Sequence, residues 1–376
     1  MLSICRILAH SGYEVRSLCT TAFDAPLPDS DKWHESIGLR MTMRRLGECT
    51  RPVWSFMADG VVHNLVDTTG CATNGWEEHF GDDFEKALNG LLTNFSPDIL
   101  LMYGGTPLFR RCREKVRDKG AVVVLGLRNH SYFEEHAMDC VDRGLASSRW
   151  LAKKYADFFG RPVDGLPSPL VESEILPASR EPVFFTFVNP ARHKGALFFI
   201  RLADELSKSR PDIPFLILDA HGLGAQLVSE ALRLGIDLRR HENIMLAPKV
   251  ASPKEFLCVT RAVLVPSLWE EPSARVAAEA QLCGIPAIVS DRGGLPETVG
   301  DAGIVLPIDR AIRADSGDLP PAKAVEKWVA TIVRMTDDKV FYEKCCADAT
   351  KAGLRYSEKN ISRRYVTYFD NLRRVV

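Results

Sequence analysis

The chain has 376 residues, a formal charge of −1, 26% charged and 46% hydrophobic side chains. Such a length is more than one compact core usually fills, so two domains are expected. The near-zero charge leaves no basic footprint for nucleic acid, and no apolar run approaches the length of a membrane-spanning helix.

In chain order, the opening "MLSICRILAHSGYEV" turns polar too soon for a signal peptide, and the expected location is the cytoplasm. "YEVRSLCT" (13–20), "PDILLMYG" (97–104) and "AVVVLGLR" (121–128) read as strands. Between the last two, and ahead of them, 81–95 and 106–120 have helical periodicity. Strand, helix, strand implies parallel pairing with right-handed crossovers. The basic run "RRCREKVRDK" (110–119) reads either as a solvated helix face or as a peripheral contact to an anionic membrane, which would put the protein at its inner face.

Proline after proline in 158–182 marks a linker. The alternation then restarts with strand 183–189, helix 195–210 and strand 214–220, and "ENIMLA", "AVLVP" and "PAIVS" continue the strand series. The expected architecture is therefore α/β, with two doubly wound Rossmann-like domains, 1–165 and 166–355, and a terminal amphipathic helix over 356–376. A ligand is expected in the cleft between them, at the C-terminal ends of the strands. The ten cysteines show no zinc spacing and read as small buried hydrophobes in a reducing compartment.

The most informative stretch is "LWEEPSARVAAEAQLCGIPAIVSDRGGLPE", Leu268 to Glu297. Pro272 suits the first turn of a helix over "SARVAAEAQLC", and Gly284 with Pro286 ends it. Eight residues of helical rise would separate Glu271 from Glu279 by about 12 Å. Carboxylates that cleave a glycosidic bond lie closer, at most roughly 9.5 Å apart. The spacing suits two hydroxyl-rich groups at the ends of one extended ligand, with an anion on the helix start between them. A sugar, a diphosphate and a ribose have that order. The alternative is that both glutamates are ordinary: one favoured by the helix dipole, the other on a solvated face. An idle charge at Glu279 would be costly in its apolar surroundings, yet the residues alone leave both readings open.

Pro266, Ser267, Glu271, Glu279, Ala280, Gly284, Pro286, Gly293, Gly294 and Glu297 together resemble the donor-binding signature of retaining GT-B glycosyltransferases of the group 1, or family 4, type. "FVNPARHKGALFFIRLADEL" is similar to the strand, loop and helix that open that family's donor domain, and "SSRWLAKKYADFFG" (147–160) to the segment that ends its first domain. The resemblance implies two facing domains, the first binding the acceptor and the second the donor. It implies that Glu279 holds ribose hydroxyls and that Glu271 contacts the transferred sugar. The N–H groups of Ser273 and Ala274 would lie near sugar and phosphates. Lys194, helped by Arg192 or His193, would neutralise the diphosphate. His130, in "GLRNHSYF", would touch the sugar, and backbone around Pro248 would meet the base. No cofactor or metal is implied. The partners implied are a nucleotide-sugar donor and an acceptor that is a glycan, a lipid-linked sugar or a small molecule.

Three departures stand beside the resemblance. The first strand and its Gly-Gly loop are missing from the family pattern, "EPSAR" replaces a Phe-Gly pair, and Asn189-Pro190 stands where an upstream Arg is usual. Two alternatives follow: a non-catalytic nucleotide-sugar-binding relative, or an epimerase or phosphorylase on the same fold. The terminal helix is expected to pack back on the first domain.

Overall fold

The computed structural model describes residues 1–23 and 40–373. They fall into two units: Met1–Ala146 with Tyr155–Asp164 and Ser362–Val376, and Ser147–Lys154 with Gly165–Ile361. Ser147–Lys154 groups with the second unit and Tyr155–Asp164 with the first.

The first unit runs α1 (Leu2–His10), β1 (Val15–Thr20), β2 (Thr42–Arg44), β3 (Val53–Ala58), β4 (Val61–Val66), α2 (Trp76–Thr93), β5 (Ile99–Met102), α3 (Pro107–Arg117), β6 (Val122–Leu127) and β7 (Arg143–Ala146). Helix α4 (Arg149–Phe159) and β8 (Val163–Gly165) follow. These strands form two four-stranded sheets, β1-β4-β3-β2 and β5-β6-β7-β8. The expected parallel pairing holds for β5 with β6, which β7 extends in parallel, but β1 lies in the other sheet, parallel to β4, where β2, β3 and β4 form an antiparallel meander. Its β3–β4 turn carries Asp59 and Gly60, both at positive φ (51° and 77°), the backbone that a two-residue hairpin with right-handed strand twist requires.

Helix α2 forms because Trp76, Phe84, Leu88 and Leu92 recur on one face and are buried, while Glu77 and Glu78 favour its positive start. That face packs with Val53, Val66, Cys112 and Val116 into one core. Leu18 from β1 and Leu100 and Met102 from β5 pack on the same cluster, although among the described residues β1 is hydrogen-bonded only to β4 and β5 only to β6. On α3 the basic run is spent internally. Arg113 is buried and donates to the carbonyls of Gly104 and Asp139. Arg110 pairs with Asp139, Arg111 and Lys115 with Glu85, and Arg117 with Asp142.

The second unit contains α5 (Glu172–Ile175), β9 (Phe184–Val188), α6 (Ala196–Ser209), β10 (Phe215–Asp219), α7 (Gly224–Arg233), β11 (Ile244–Pro248), α8 (Lys254–Leu257) and β12 (Thr260–Val265). After these come α9 (Arg275–Leu282), β13 (Ala287–Val289), α10 (Leu295–Val299), β14 (Ile304–Val305), α11 (Glu326–Asp337) and α12 (Lys339–Gly353). The proline-rich linker thus contains β8 and α5. The six strands make one parallel sheet in the order β11-β10-β9-β12-β13-β14. Near-continuous apolar strands such as "FFTFV" and "FLILD" fit a sheet covered on both faces. One face packs under α6 and α11 through Phe198, Phe199 and Trp328, the other under α9 through Ala277 and Ala280. The chain reverses direction across the sheet between β9 and β12, so their C-terminal ends open a crevice.

The terminal helix α13 (Glu358–Arg373) passes from the second unit to the first at Ser362. Its Tyr365 is fully buried there and its hydroxyl accepts from the Arg128 guanidinium at 3.2 Å. All ten cysteines are free thiols. Among the described residues no helix is long and apolar enough to cross a membrane.

Candidate active site

Two loops meet at the sheet's switch point. After β9, Asn189 adopts a positive φ of 63°, and the turn Arg192–Lys194 leads to Gly195 at φ 91°. A side chain at 195 would place Cβ 2.0 Å from the Pro266 carbonyl oxygen, so only glycine lets this loop approach the one after β12. The approach is fixed by the Leu268 N–H, which donates to the His193 carbonyl at 2.9 Å.

It brings Lys194 onto Glu271. The ammonium donates to both carboxylate oxygens, at 2.7 and 2.9 Å, and the Ser267 hydroxyl donates to Oε1 at 2.7 Å. Glu271 is 4% exposed, so its charge is tenable only because these donors replace water. Lys194 also lies over the Trp269 ring, 5.4 Å from its centre. Trp269 stands edge-on to His193 at 5.4 Å. Partial desolvation lowers the His193 pKa, and the neighbouring Lys194 charge lowers it further against the opposing pull of Glu271.

The loop carrying Glu271 is backed by the two glycines of the signature. A Cβ at Gly293 would come within 2.4 Å of the Glu271 nitrogen, and the Gly294 N–H donates to the Glu271 carbonyl at 2.7 Å. Helix α9 starts at Arg275, so Pro272 precedes it instead of occupying its first turn. Glu271 is therefore outside the helix, and helical rise does not set its full separation from Glu279. The N–H groups of Ser273, Arg275 and Val276 make no hydrogen bond to the described residues. Ala274 differs from expectation: its N–H donates to the Thr298 hydroxyl at 3.3 Å, because α10 packs against this point. Glu279, one turn into α9, is 5% exposed, and Arg275 Nε donates to it at 2.6 Å. Burial holds the Glu279 pKa above the usual carboxylate range, while Arg275 opposes the shift.

The structure thus groups Lys194, Glu271, Ser273, Ala274 and Glu279 around the loop and first turn of α9. Arg192 turns away. Its guanidinium pairs with Glu230, a buried carboxylate on α7 that Arg233 also approaches, at 3.8 Å. Pro248 ends β11, exposed and in register with Asp219 at the end of β10. His130 lies in the first unit, just beyond β6, with its ring stacked on Phe133 at 5.9 Å. Sequence reasoning did not single out Trp269, Thr298 or Arg275. The i, i+4 spacing of Arg275 and Glu279 was a legible signal for the last. No local pattern reports Thr298.

Residues 171–351 match the family Glycosyl transferases group 1. That segment is similar to group 1 glycosyltransferase domains. The chain also matches the D-inositol 3-phosphate glycosyltransferase of Segniliparus rotundus, at 30% identity over 149 residues, 38% of this chain and 29% of that protein. The chain spans 29% of the length of the curated relatives it matches. Among solved structures it is similar to a glycosyltransferase from Rickettsia africae, with TM-score 0.67 and 11% identity over 99% of this chain and 93% of that one. It is likewise similar to Anabaena HepE, solved with UDP-glucose, with TM-score 0.59 and 13% identity over 95% of this chain and 100% of that one. These likenesses show that the chain has the GT-B fold. The group 1 match covers the sheet β9–β14, both loops at its switch point and α9, so Lys194, Glu271 and Glu279 all lie inside the matched segment.

Proposed function

We propose that the protein transfers a sugar from a nucleotide-diphosphate sugar to an acceptor hydroxyl, with retention of anomeric configuration and without a metal. The observation that carries this reading is the buried Glu271 carboxylate held by Lys194 beside the unpartnered N–H groups at the start of α9. When the bond from the anomeric carbon to the phosphate oxygen breaks, negative charge collects on the departing diphosphate. Lys194 and the N–H groups of Ser273, Arg275 and Val276 are placed to stabilise that charge without reorganising. Glu271 contacts hydroxyls of the transferred sugar and Glu279 those of the ribose. Pro248 and its neighbours offer backbone groups to the base. HepE was solved with UDP-glucose, which supports a donor of this class for a chain of the same fold.

The role of the first unit as acceptor domain, that of His130, and retention rest on the family resemblance. The acceptor is a glycan, a lipid-linked sugar or a small molecule. Arg192 has no part in this reading, since Glu230 claims it.

Calorimetric titration with UDP, GDP and ADP tests the donor site. One of them binds, and Glu279→Gln weakens it about tenfold or more, as expected for a lost hydrogen bond to a charged group. The raised pKa of Glu279 gives the sign of the pH effect. Affinity falls as pH drops through a value above the ordinary carboxylate range, because the protonated acid accepts hydroxyl protons poorly. Glu279→Gln removes that dependence. Equal nucleotide affinity in mutant and wild type overturns the ribose role.

A further inference from the structure

Glu297, the last residue of the signature, has no part in the chemistry described so far. Its carboxylate lies at the start of α4. Oε1 accepts from the Arg149 N–H at 2.9 Å and Oε2 from the Trp150 N–H at 2.7 Å. The Ser148 hydroxyl accepts from the next N–H, that of Leu151, at 3.0 Å. Three consecutive N–H groups that a helix start leaves open are thereby satisfied, and the negative carboxylate faces the positive end of the helix dipole.

The same Ser148 hydroxyl donates to the Pro272 carbonyl at 2.5 Å, and Lys154 in the next turn of α4 pairs with Glu270. Across the loop, Gly294 donates to the Glu271 carbonyl, and the Thr298 hydroxyl accepts from the Ala274 N–H while donating to the Gly294 carbonyl. The carbonyls of Glu271 and Pro272 are therefore held by separate donors. Gly294 holds one and Ser148 the other. Gly294, the residue that precedes α10, supplies the first grip, and α10 supplies the second through Glu297. All of these residues belong to the second unit.

We propose that Glu297 is a positioning residue: by fixing the first turn of α4, it keeps Ser148 on the Pro272 carbonyl and so sets where Glu271 meets the donor sugar. A merely structural cap would support the fold as a whole. A positioning role acts on the sugar end of the donor and spares the nucleotide end, which Glu279 and α9 hold. The inference rests on the assignment of Glu271 to the sugar.

The test compares affinities for a nucleoside diphosphate and its glucose donor, using whichever of the UDP, GDP and ADP pairs binds. In Glu297→Ala the preference for the sugar-bearing form falls by about tenfold or more, while nucleoside diphosphate affinity stays within about twofold. Glu297→Gln, which keeps one accepting oxygen, falls between. Combining Glu297→Ala with Glu271→Ala costs no more than Glu271→Ala alone, as residues acting through one contact require. Amide exchange rises in 147–151 and 269–274 and is unchanged in β9 and β12. Equal loss of both affinities, an additive double mutant, or unchanged exchange at 269–274 overturns the proposal. If Glu271→Ala leaves the sugar preference intact, the reading of Glu271 fails, and the exchange data still decide whether Glu297 fixes the loop. Absence of binding to every nucleotide overturns both.

Discussion

The two units share a strand-helix rhythm and build different sheets from it. In the second unit six strands join one parallel sheet, and the reversal between β9 and β12 brings the loops that follow them together. Lys194 comes from one and Glu271 from the other, so the pair exists because of the strand order. In the first unit the strands divide into two sheets, and β1 and β5 each have one edge without ladder hydrogen bonds to the described residues while sharing a core. The same rhythm therefore brings a lysine onto a buried glutamate where the sheet is continuous across its switch point.

Breaking the pair gives the largest effect on this contrast. Lys194→Ala leaves Glu271 buried without its cation, which typically costs about 3–5 kcal/mol. Unfolding of the second unit is expected at markedly lower denaturant, and Lys194→Ala combined with Glu271→Gln should recover much of the loss. Chemical denaturation of the single and double mutants checks this; a single mutant as stable as wild type contradicts the account of the pair. A smaller effect sharpens the comparison between sheets. Amides of β1 and β5 should exchange at least about tenfold faster than those of β9 and β12, because one edge of each lies outside a ladder. Equal protection in all four strands, read by hydrogen exchange with mass spectrometry, would erase the distinction.

Much of the second unit was readable in advance. Its strands are short apolar runs between turn residues, and each of the runs read as strands there is a strand. The E-x7-E spacing with its glycines located Glu271 and Glu279. Where reading stopped, a long-range contact decided. Arg192 sits two residues from Lys194, yet it pairs with Glu230, 38 residues onward, and nothing local announces this. Ser147–Lys154 reads as the end of the first domain because Ser148 finds Pro272 and Arg149 finds Glu297 only after folding. The Ala274 N–H goes to Thr298 for the same reason. The β3–β4 hairpin is a different failure. Asp59-Gly60 between two apolar runs is a strong short-range hairpin signal, yet no strand was read from 42–66.

The account's central claim is that Glu271 and Glu279 serve opposite ends of one donor. Glu271→Ala measures it most directly, in paired assays of nucleoside diphosphate affinity and donor turnover, the latter as release of free sugar from the nucleotide sugar. The account predicts turnover lower by about a hundredfold with nucleotide affinity within about twofold of wild type. An unchanged turnover, or a loss of nucleotide affinity matching that of Glu279→Gln, would contradict it.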